Sequence, residues 1–585
     1  MSPHQPTPKR RERPSADSSI RADVAALRAR PRSEVLVIGG GINGIATFRD
    51  LALQGVDVVL VERDDFVSGA SSASSHMIHG GIRYLENGEF RLVKESVEER
   101  NGLLRIAPHY VKPLETTVPI FSTFSGIVSA PLRFLTHKPG KPTERGAALI
   151  KTGLTIYDSF SRDGGQVPRH RFHGAKRSLA ELPALNPGVK YTATYYDASM
   201  HDPERLALDV LFDGLAAGRH ARAANHLEAV GMDADGVRVR DALTGEEFAI
   251  AADIVVNTSG PWTDLTNAEL GRPTTFMGGT KGSHIVLDHP ELLAATAGRE
   301  IFFEHEDGRI VLIYPLKGKV MVGTTDLEHD MREPAICTET EVEYFFELIA
   351  HVFPAIRVDR SQIVYRFAGV RPLPRHDETQ PGFVSRDYRI ERSDVAARAG
   401  TTLLSLVGGK WTTFRALAEH LSDEVLELLG RARTVSTKGL AIGGGAGYPV
   451  TDDARRVWLA SHGDEVGRER AAELLERYGT RAEAFLSEIE GETDAPLASL
   501  PGYGELEVHW LARTERVVHL ADLVLRRTSM AFTGAVTAPL LDELATLVGD
   551  ELGWDADRRD AEVRATTHLL AERHGVVLPE RVAAA

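Results

Sequence analysis

Residues 33–44 read Ser33-Glu34-Val35-Leu36-Val37-Ile38-Gly39-Gly40-Gly41-Ile42-Asn43-Gly44. Glu34 to Ile38 is short, nearly all apolar and ends at a glycine, the pattern of a strand buried on both faces in a parallel sheet. A helix opens directly after it. Its apolar positions Ile45, Phe48, Leu51 and Ala52 share one face, and Gly55 stands where a C-terminal cap belongs. Residues 56–61 form a second buried strand that closes on Glu62. Three glycines spaced Gly39-x-Gly41-x-x-Gly44 mean little alone. Between a strand and a helix, with an acid 18 positions beyond Gly44, they are specific. Gly39 permits the tight turn, Gly41 lets the backbone approach a pyrophosphate, and Gly44 lets helix and strand pack. The helix start at Ile42 and Asn43 offers N–H groups to the anion. Glu62 can accept bonds from ribose hydroxyls, and its charge would repel a 2′-phosphate. The stretch predicts an α/β fold built on a Rossmann-like dinucleotide unit.

Two later stretches extend this reading to FAD. Ile254-Val255-Val256 followed by Asn257-Thr258-Ser259-Gly260 resembles the second nucleotide-contacting strand of glutathione-reductase-type flavoproteins. Thr401 to Val407 followed by Gly408-Gly409-Lys410 resembles the segment that returns late in such chains to cover the flavin ring and its phosphates. Ser259, Gly260, Gly409, Lys410 and Thr412 therefore join the candidate cofactor-binding residues. A cofactor met by segments spread over some 370 positions must be long.

The chain has 585 residues, 42% hydrophobic and 26% charged, with 68 Lys and Arg against 83 Asp and Glu. A net charge of −15 does not suit a nucleic-acid partner. The single cysteine, Cys337, excludes an internal disulfide and Cys-cluster metal sites, and no metal is expected. No apolar run is long enough to span a bilayer. Residues 1–32 are rich in Arg, Pro and Ser and read as a disordered basic arm, either simply solvated or in loose contact with anionic lipid. An Arg-rich transit peptide ranks lower. Residues 230–250 read as a β-meander with turns at Asp235-Gly236 and Thr244-Gly245. Residues 271–385 read as a mixed sheet, 443–447 as a glycine linker, and the chain beyond 449 as mostly helical. These readings divide the chain into the arm, an oxidoreductase body over 33–434 and a helical domain over 435–585. Within the body, 33–120, 205–265 and 401–434 hold the cofactor, and 121–204 with 266–400 form a substrate cap.

The run Ser71-Ser72-Ala73-Ser74-Ser75-His76-Met77-Ile78-His79-Gly80-Gly81-Ile82-Arg83-Tyr84-Leu85-Glu86 resembles the signature of the flavin-dependent (aerobic) sn-glycerol-3-phosphate dehydrogenases and related oxidases. Further segments are similar to that family in the same order, among them Lys281-Gly282-Ser283-His284, Val322-Gly323-Thr324-Thr325-Asp326, Gly369-Val370-Arg371-Pro372 and Gly408-Gly409-Lys410-Trp411-Thr412-Thr413-Phe414. The similarity covers about residues 33–435, and Leu525-Arg526-Arg527-Thr528 resembles the family's C-terminal domain. The resemblance implies that Arg83, Tyr84, His284, Arg371, Arg386 and Lys410 hold a polyol phosphate, with Arg371 and Arg386 on the phosphate. Arg suits that task because its planar fork grips a dianion through two bonds at once. His284 is the candidate base; the alternative is that it only hydrogen-bonds the flavin or substrate and that Lys410 with Arg371 stabilises an alkoxide instead. Ser74, Ser75, His79, Gly80 and Gly81 are candidate flavin contacts. Asp326 is assigned no catalytic role.

Three departures from the family pattern stand out. His76 takes the place of a usual Lys, Phe414 that of a common Tyr, and residues 197–206 run one position longer than usual. The resemblance implies oxidation of sn-glycerol 3-phosphate, with quinone as acceptor, in a cytoplasmic protein resting peripherally on the inner face of the cell membrane. Residues 121–138, apolar with a few cations, are the candidate interfacial segment. An oxidase using O2, a dehydrogenase of a longer substrate such as erythritol phosphate, and an inactive flavin-binding membrane-associated protein are the alternatives, and a homodimer is compatible with each.

Overall fold

The computed structural model describes residues 21–579 apart from 82–89, 122–149, 152, 153, 156, 157, 159–167, 305–309, 376–387, 396, 397 and 399. The interfacial candidate 121–138 therefore lies, beyond Phe121, outside the described residues.

The quoted stretch forms the strand Arg32–Ile38 and the helix Ile42–Leu53. The strand lies between Val58–Val61 and the end of Glu247–Asn257, parallel to both, with Val35 opposite Val58 and Ile254. The sheet continues through Thr402–Val407 to Arg389–Asp394 on one side and to Ala221–Ala224 on the other. Val35 and Val37 enter one core and Leu36 and Ile38 another, so the strand is buried on both faces. Each such side chain contributes about 1.5–3 kcal/mol by leaving water. The strand Glu247–Asn257 serves two sheets: Phe248 pairs antiparallel with Val239 in the expected meander, while Ile254 sits in the parallel array.

A second, ten-stranded mixed sheet carries Thr280–Leu287 between Lys319–Gly323 and Ile363–Arg371. It also takes in Met77–Ile78 and Val111–Ile120, whereas the sequence reading runs the cofactor half to residue 120. Register explains the difference, because Val111–Ile120 pairs residue for residue with Tyr191–Met200.

Two other sequence expectations need correction. The arm does not extend to residue 32: Ala22–Ala29 is a helix whose Val24 and Leu27 pack with Leu36 and Ile38. Two apolar residues three positions apart make one helix face, and their burial outweighs the Arg-rich composition around them. The glycines at 443–445 form a packed junction and not a loose linker. A side chain on Gly444 would put its Cβ 1.9 Å from the Tyr478 carbonyl oxygen. The helical tail beyond it includes Asp452–Val466, Arg468–Tyr478, Glu505–Thr514, Ala538–Leu552 and Ala556–His574. It shares a core with the second sheet, in which Val286, Leu312, Met321 and Phe367 pack with Trp510, Leu523 and Leu544. Buried ion pairs Arg205 to Glu515 and Arg481 to Asp209 tie tail to body as well. No helix among the described residues is long and apolar enough to cross a membrane. Because the contact at Gly444 is with backbone, Gly444→Ala should destabilise the protein by about 2 kcal/mol in urea unfolding; an unchanged midpoint would show that the junction can yield.

Candidate functional site

The glycine turn is held by the strand that faces it. Gly39 has φ +108°, and a Cβ there would lie 2.8 Å from backbone atoms of Thr258 and Ser259. A Cβ on Gly44 would lie 2.0 Å from the Gly39 carbonyl oxygen. Thr258 Oγ1 donates to the Ile38 and Gly39 carbonyls at 3.0 and 3.1 Å, and Glu62 accepts from Gly40 N–H at 2.6 Å and Asp64 N–H at 3.0 Å. Burial pushes the Glu62 carboxyl up and nearby Asp64 adds to this, opposed by those two N–H groups. Glu62 thus braces the turn as well as facing the cavity. That cavity measures about 1090 Å³, and Gly41, Asn43, Glu62, Ser259 and Gly260 line it. At this end of the cavity the helix N-terminus, the glycine turn and the Glu62 carboxylate fit a dinucleotide.

The later segments converge on the same place. A Cβ on Gly409 would meet Asn43 Nδ2 at 2.5 Å, so the late glycine pair abuts the start of the helix. The Ser71 hydroxyl oxygen accepts from Ile42 N–H at 2.9 Å, and the Ser71 carbonyl accepts from Trp411 Nε1 at 3.0 Å. Thr412 is buried beside them. The serine-rich run therefore bridges the first helix and the late segment. Gly80 N–H donates to Asp197 at 2.9 Å, where Arg100 also donates, and His79 Nδ1 stands 3.7 Å from the second Asp197 oxygen.

At the other end of this run, Ser75 Oγ is 2.9 Å from His284 Nε2. His284 is buried on Thr280–Leu287, directly opposite Phe367, and stacks on that ring at 4.8 Å and 11°. Burial, then the charge of Arg371, holds its imidazole well below the usual range, so it is neutral at physiological pH. Arg371, four positions along the same strand as Phe367, donates to Thr324 Oγ1 and the Thr325 carbonyl, each at 2.9 Å, and to Asp326 at 3.2 Å. Lys410 Nζ donates to Ser96 Oγ at 2.6 Å on the helix Phe90–Ile106.

The structure thus brings together Ser75, His284 and Arg371 at one point and Asn43, Ser71, Gly409 and Thr412 at another. Arg83, Tyr84 and Arg386 lie outside the described residues. Phe367 and Asp326 were missed as site residues. Phe367 carries no motif, and its role follows only from strand register. Asp326 ends the Gly-Thr-Thr-Asp run and orients Arg371 in place of a purely structural cap. Cys337 is buried, and burial pushes its thiol up to about 12, which leaves it unreactive.

Known proteins resemble this chain over most of its length. Residues 34–423 match the FAD dependent oxidoreductase family, and residues 400–559 match the C-terminal domain of alpha-glycerophosphate oxidase. The glycerol-3-phosphate dehydrogenase of Synechocystis sp. is 32% identical over 554 residues, covering 91% of this chain and 95% of that protein. The mitochondrial glycerol-3-phosphate dehydrogenase of Mus musculus is 29% identical over 602 residues, covering 96% of this chain and 76% of that one. Among solved structures, the glycerol-3-phosphate dehydrogenase from Bacillus halodurans, complexed with FAD, shares the fold with a TM-score of 0.70 at 22% identity, over 94% of this chain and 97% of that one.

His76, the departure from the family's Lys, lines the cavity, and burial pushes it down to about 4. The unfolded chain takes up this proton near pH 6.5 and the folded chain only near 4, so His76 lowers stability as pH falls through that window. The stability advantage of the unmodified protein over His76→Gln should shrink by about 2 kcal/mol between pH 7 and 5 in denaturant titrations. A pH-independent difference would mean that His76 is solvated.

Proposed function

The chain belongs to the FAD-dependent oxidoreductase family that contains the glycerol-3-phosphate dehydrogenases, and on that premise we propose that it oxidises sn-glycerol 3-phosphate to dihydroxyacetone phosphate and passes the electrons to a membrane quinone. The cofactor is FAD, and bound in the cavity it supplies the hydride acceptor. The observation that carries the reading is the placing of His284 and Arg371 on one sheet face beside the serine-rich run.

In this reading Arg371, oriented by Asp326 and Thr324, grips the substrate phosphate together with Arg386, and Arg83 and Tyr84 are the further substrate-binding residues that the resemblance implies. His284 Nε2 accepts the proton of the C2 hydroxyl once the Ser75 hydroxyl, 2.9 Å away, turns its own proton off that lone pair to make room for the substrate. The Phe367 ring fixes the imidazole plane and keeps water from it. Lys410 and Arg371 stabilise the negative charge that develops on the oxygen. Ser74, His79, Gly80 and Gly81 face the flavin, and Glu62 the adenosine ribose. The relatives are named dehydrogenases and not oxidases, which favours an acceptor other than O2, and a membrane quinone in that role goes with a peripheral seat on the inner face of the membrane. A longer polyol phosphate is the second substrate reading, because the longer stretch 197–206, a strand end followed by a helix start, puts His201, Asp202 and Glu204 on the cavity wall.

Anaerobic mixing with glycerol 3-phosphate should bleach the flavin absorbance, and Arg371→Ala, with FAD still bound, should lower kcat/KM about 10²-fold. An unbleached band at millimolar substrate would remove the assignment, faster bleaching by a tetritol phosphate would shift the substrate, and peroxide release in air would make the enzyme an oxidase. Because His284 is already neutral, the bleaching rate should stay flat as pH falls from 8 through 6.5 and decline only in more acid solution. A half-maximal rate at pH 6.5 would point to a solvated base elsewhere.

A further inference from the structure

The cavity that begins at the glycine turn is not closed by the body alone. His519, Asp522, Leu525, Arg526 and Ser529 of the helical tail line it too. Where tail meets body lies a buried knot of charge. Asp65, three positions past Glu62, is 1% exposed. It accepts Arg527 Nη1 at 2.6 Å and Nη2 at 2.8 Å in a two-pronged fork, and also Asn225 Nδ2 at 2.7 Å and Arg526 Nε. Asp522 accepts Arg526 Nη2 at 3.0 Å and stands 3.2 Å from His226 Nε2. Burial and Asp522 would push the Asp65 carboxyl up, but Arg527 and Arg526 hold it low. Two carboxylates and two guanidiniums balance, as a buried cluster must. Ligand atoms of Asp65, His226 and Asp522 lie within 4.8 Å of one another, a spacing that suits a cation. The two arginines already supply that charge.

Adjacent arginines reach one carboxylate because Leu523–Arg527 is a π-helical turn, closed by Thr528 N–H on the Leu523 carbonyl at 3.0 Å. In an α-helix neighbouring side chains diverge by about 100°. The wider π turn narrows that angle, and such turns concentrate at functional sites. From this knot, backbone bonds run straight to the dinucleotide turn. His226 N–H donates to the Asp64 carbonyl and Leu227 N–H to the Glu62 carbonyl, both at 2.7 Å.

We propose that the tail is part of the FAD site: Arg527, through its fork on Asp65, is a positioning residue that holds the loop 62–65 against the adenosine half of the cofactor. FAD binding and the docking of residues 519–529 are therefore coupled, and each strengthens the other by the same factor. This inference needs only FAD binding and stands whatever the substrate and acceptor are.

Hydrogen exchange on the full chain, with and without FAD, tests it, together with FAD titration by fluorescence for Arg527→Met, Arg527→Lys and the exposed tail control Arg513→Ala. FAD should slow exchange in 519–529 about tenfold in the unmodified protein. Arg527→Met should raise the FAD dissociation constant about tenfold, Arg527→Lys by less, and Arg513→Ala not at all, with saturating FAD restoring protection in the two Arg527 variants. Equal exchange with and without FAD in the unmodified protein would overturn the proposal, and so would an unchanged constant in Arg527→Met. If Arg527→Met does not fold, the exchange of the unmodified protein decides alone. Protection of 519–529 that EDTA abolishes would assign the knot to a cation and also overturn it.

Discussion

Everything in the site depends on how closely the glycine turn approaches the end of the strand Glu247–Asn257. Side-chain-free contact at Gly39 and Gly44 lets the helix Ile42–Leu53 start against the sheet, with Ile42 and Asn43 on the cavity wall. Any Cβ there would have to displace backbone, and the helix start would move with it. Thr258 fastens the contact from the facing strand, and Glu62 fastens it from the loop beyond the second strand. Every other cofactor-facing segment is placed by reference to this turn.

The second sheet supplies a different kind of precision. His284 and Phe367 are opposed across an antiparallel pair, and Arg371 follows Phe367 by four residues, so period-two geometry puts Phe367 and Arg371 on one face. A slip of one residue in that pairing would send His284 and Arg371 to opposite faces. The tail packs on this same face, because Val286 and Phe367 share its core, while Ile285, Leu287 and Val322 back the sheet against the helix Glu339–Val352 on the other side.

The α/β class and the Rossmann-like unit were legible in the sequence because their signals are local: a short apolar run, three glycines and an acid at fixed spacing, whereas FAD was legible only through the resemblance of two later stretches to flavoprotein segments. His284 and Arg371 were legible only through family motifs, since no local pattern reveals that strands some 80 residues apart are neighbours. Phe367 has no such motif and went unseen. The arm was drawn too long because composition averages over a window, whereas Val24 and Leu27 act through their spacing. The 443–447 cluster was taken for a linker because glycine signals both freedom and close packing, and only the facing Tyr478 backbone tells them apart. The fork between Asp65 and Arg527 joins residues 462 positions apart and leaves no mark in either neighbourhood.

The central claim is that one chamber, built from these dispersed segments, holds FAD with its pyrophosphate at the start of the helix Ile42–Leu53 and presents the substrate beside His284 and Arg371. A crystal structure of the FAD-loaded protein with glycerol 3-phosphate tests it most directly. The account predicts the pyrophosphate at the helix start beside Asn43 and Ser71, whose hydroxyl holds the Ile42 N–H, the substrate phosphate on the Arg371 guanidinium and the C2 hydroxyl within hydrogen-bond reach of His284. A substrate phosphate bound away from Arg371, with His284 sealed behind Phe367 and out of reach, would contradict it.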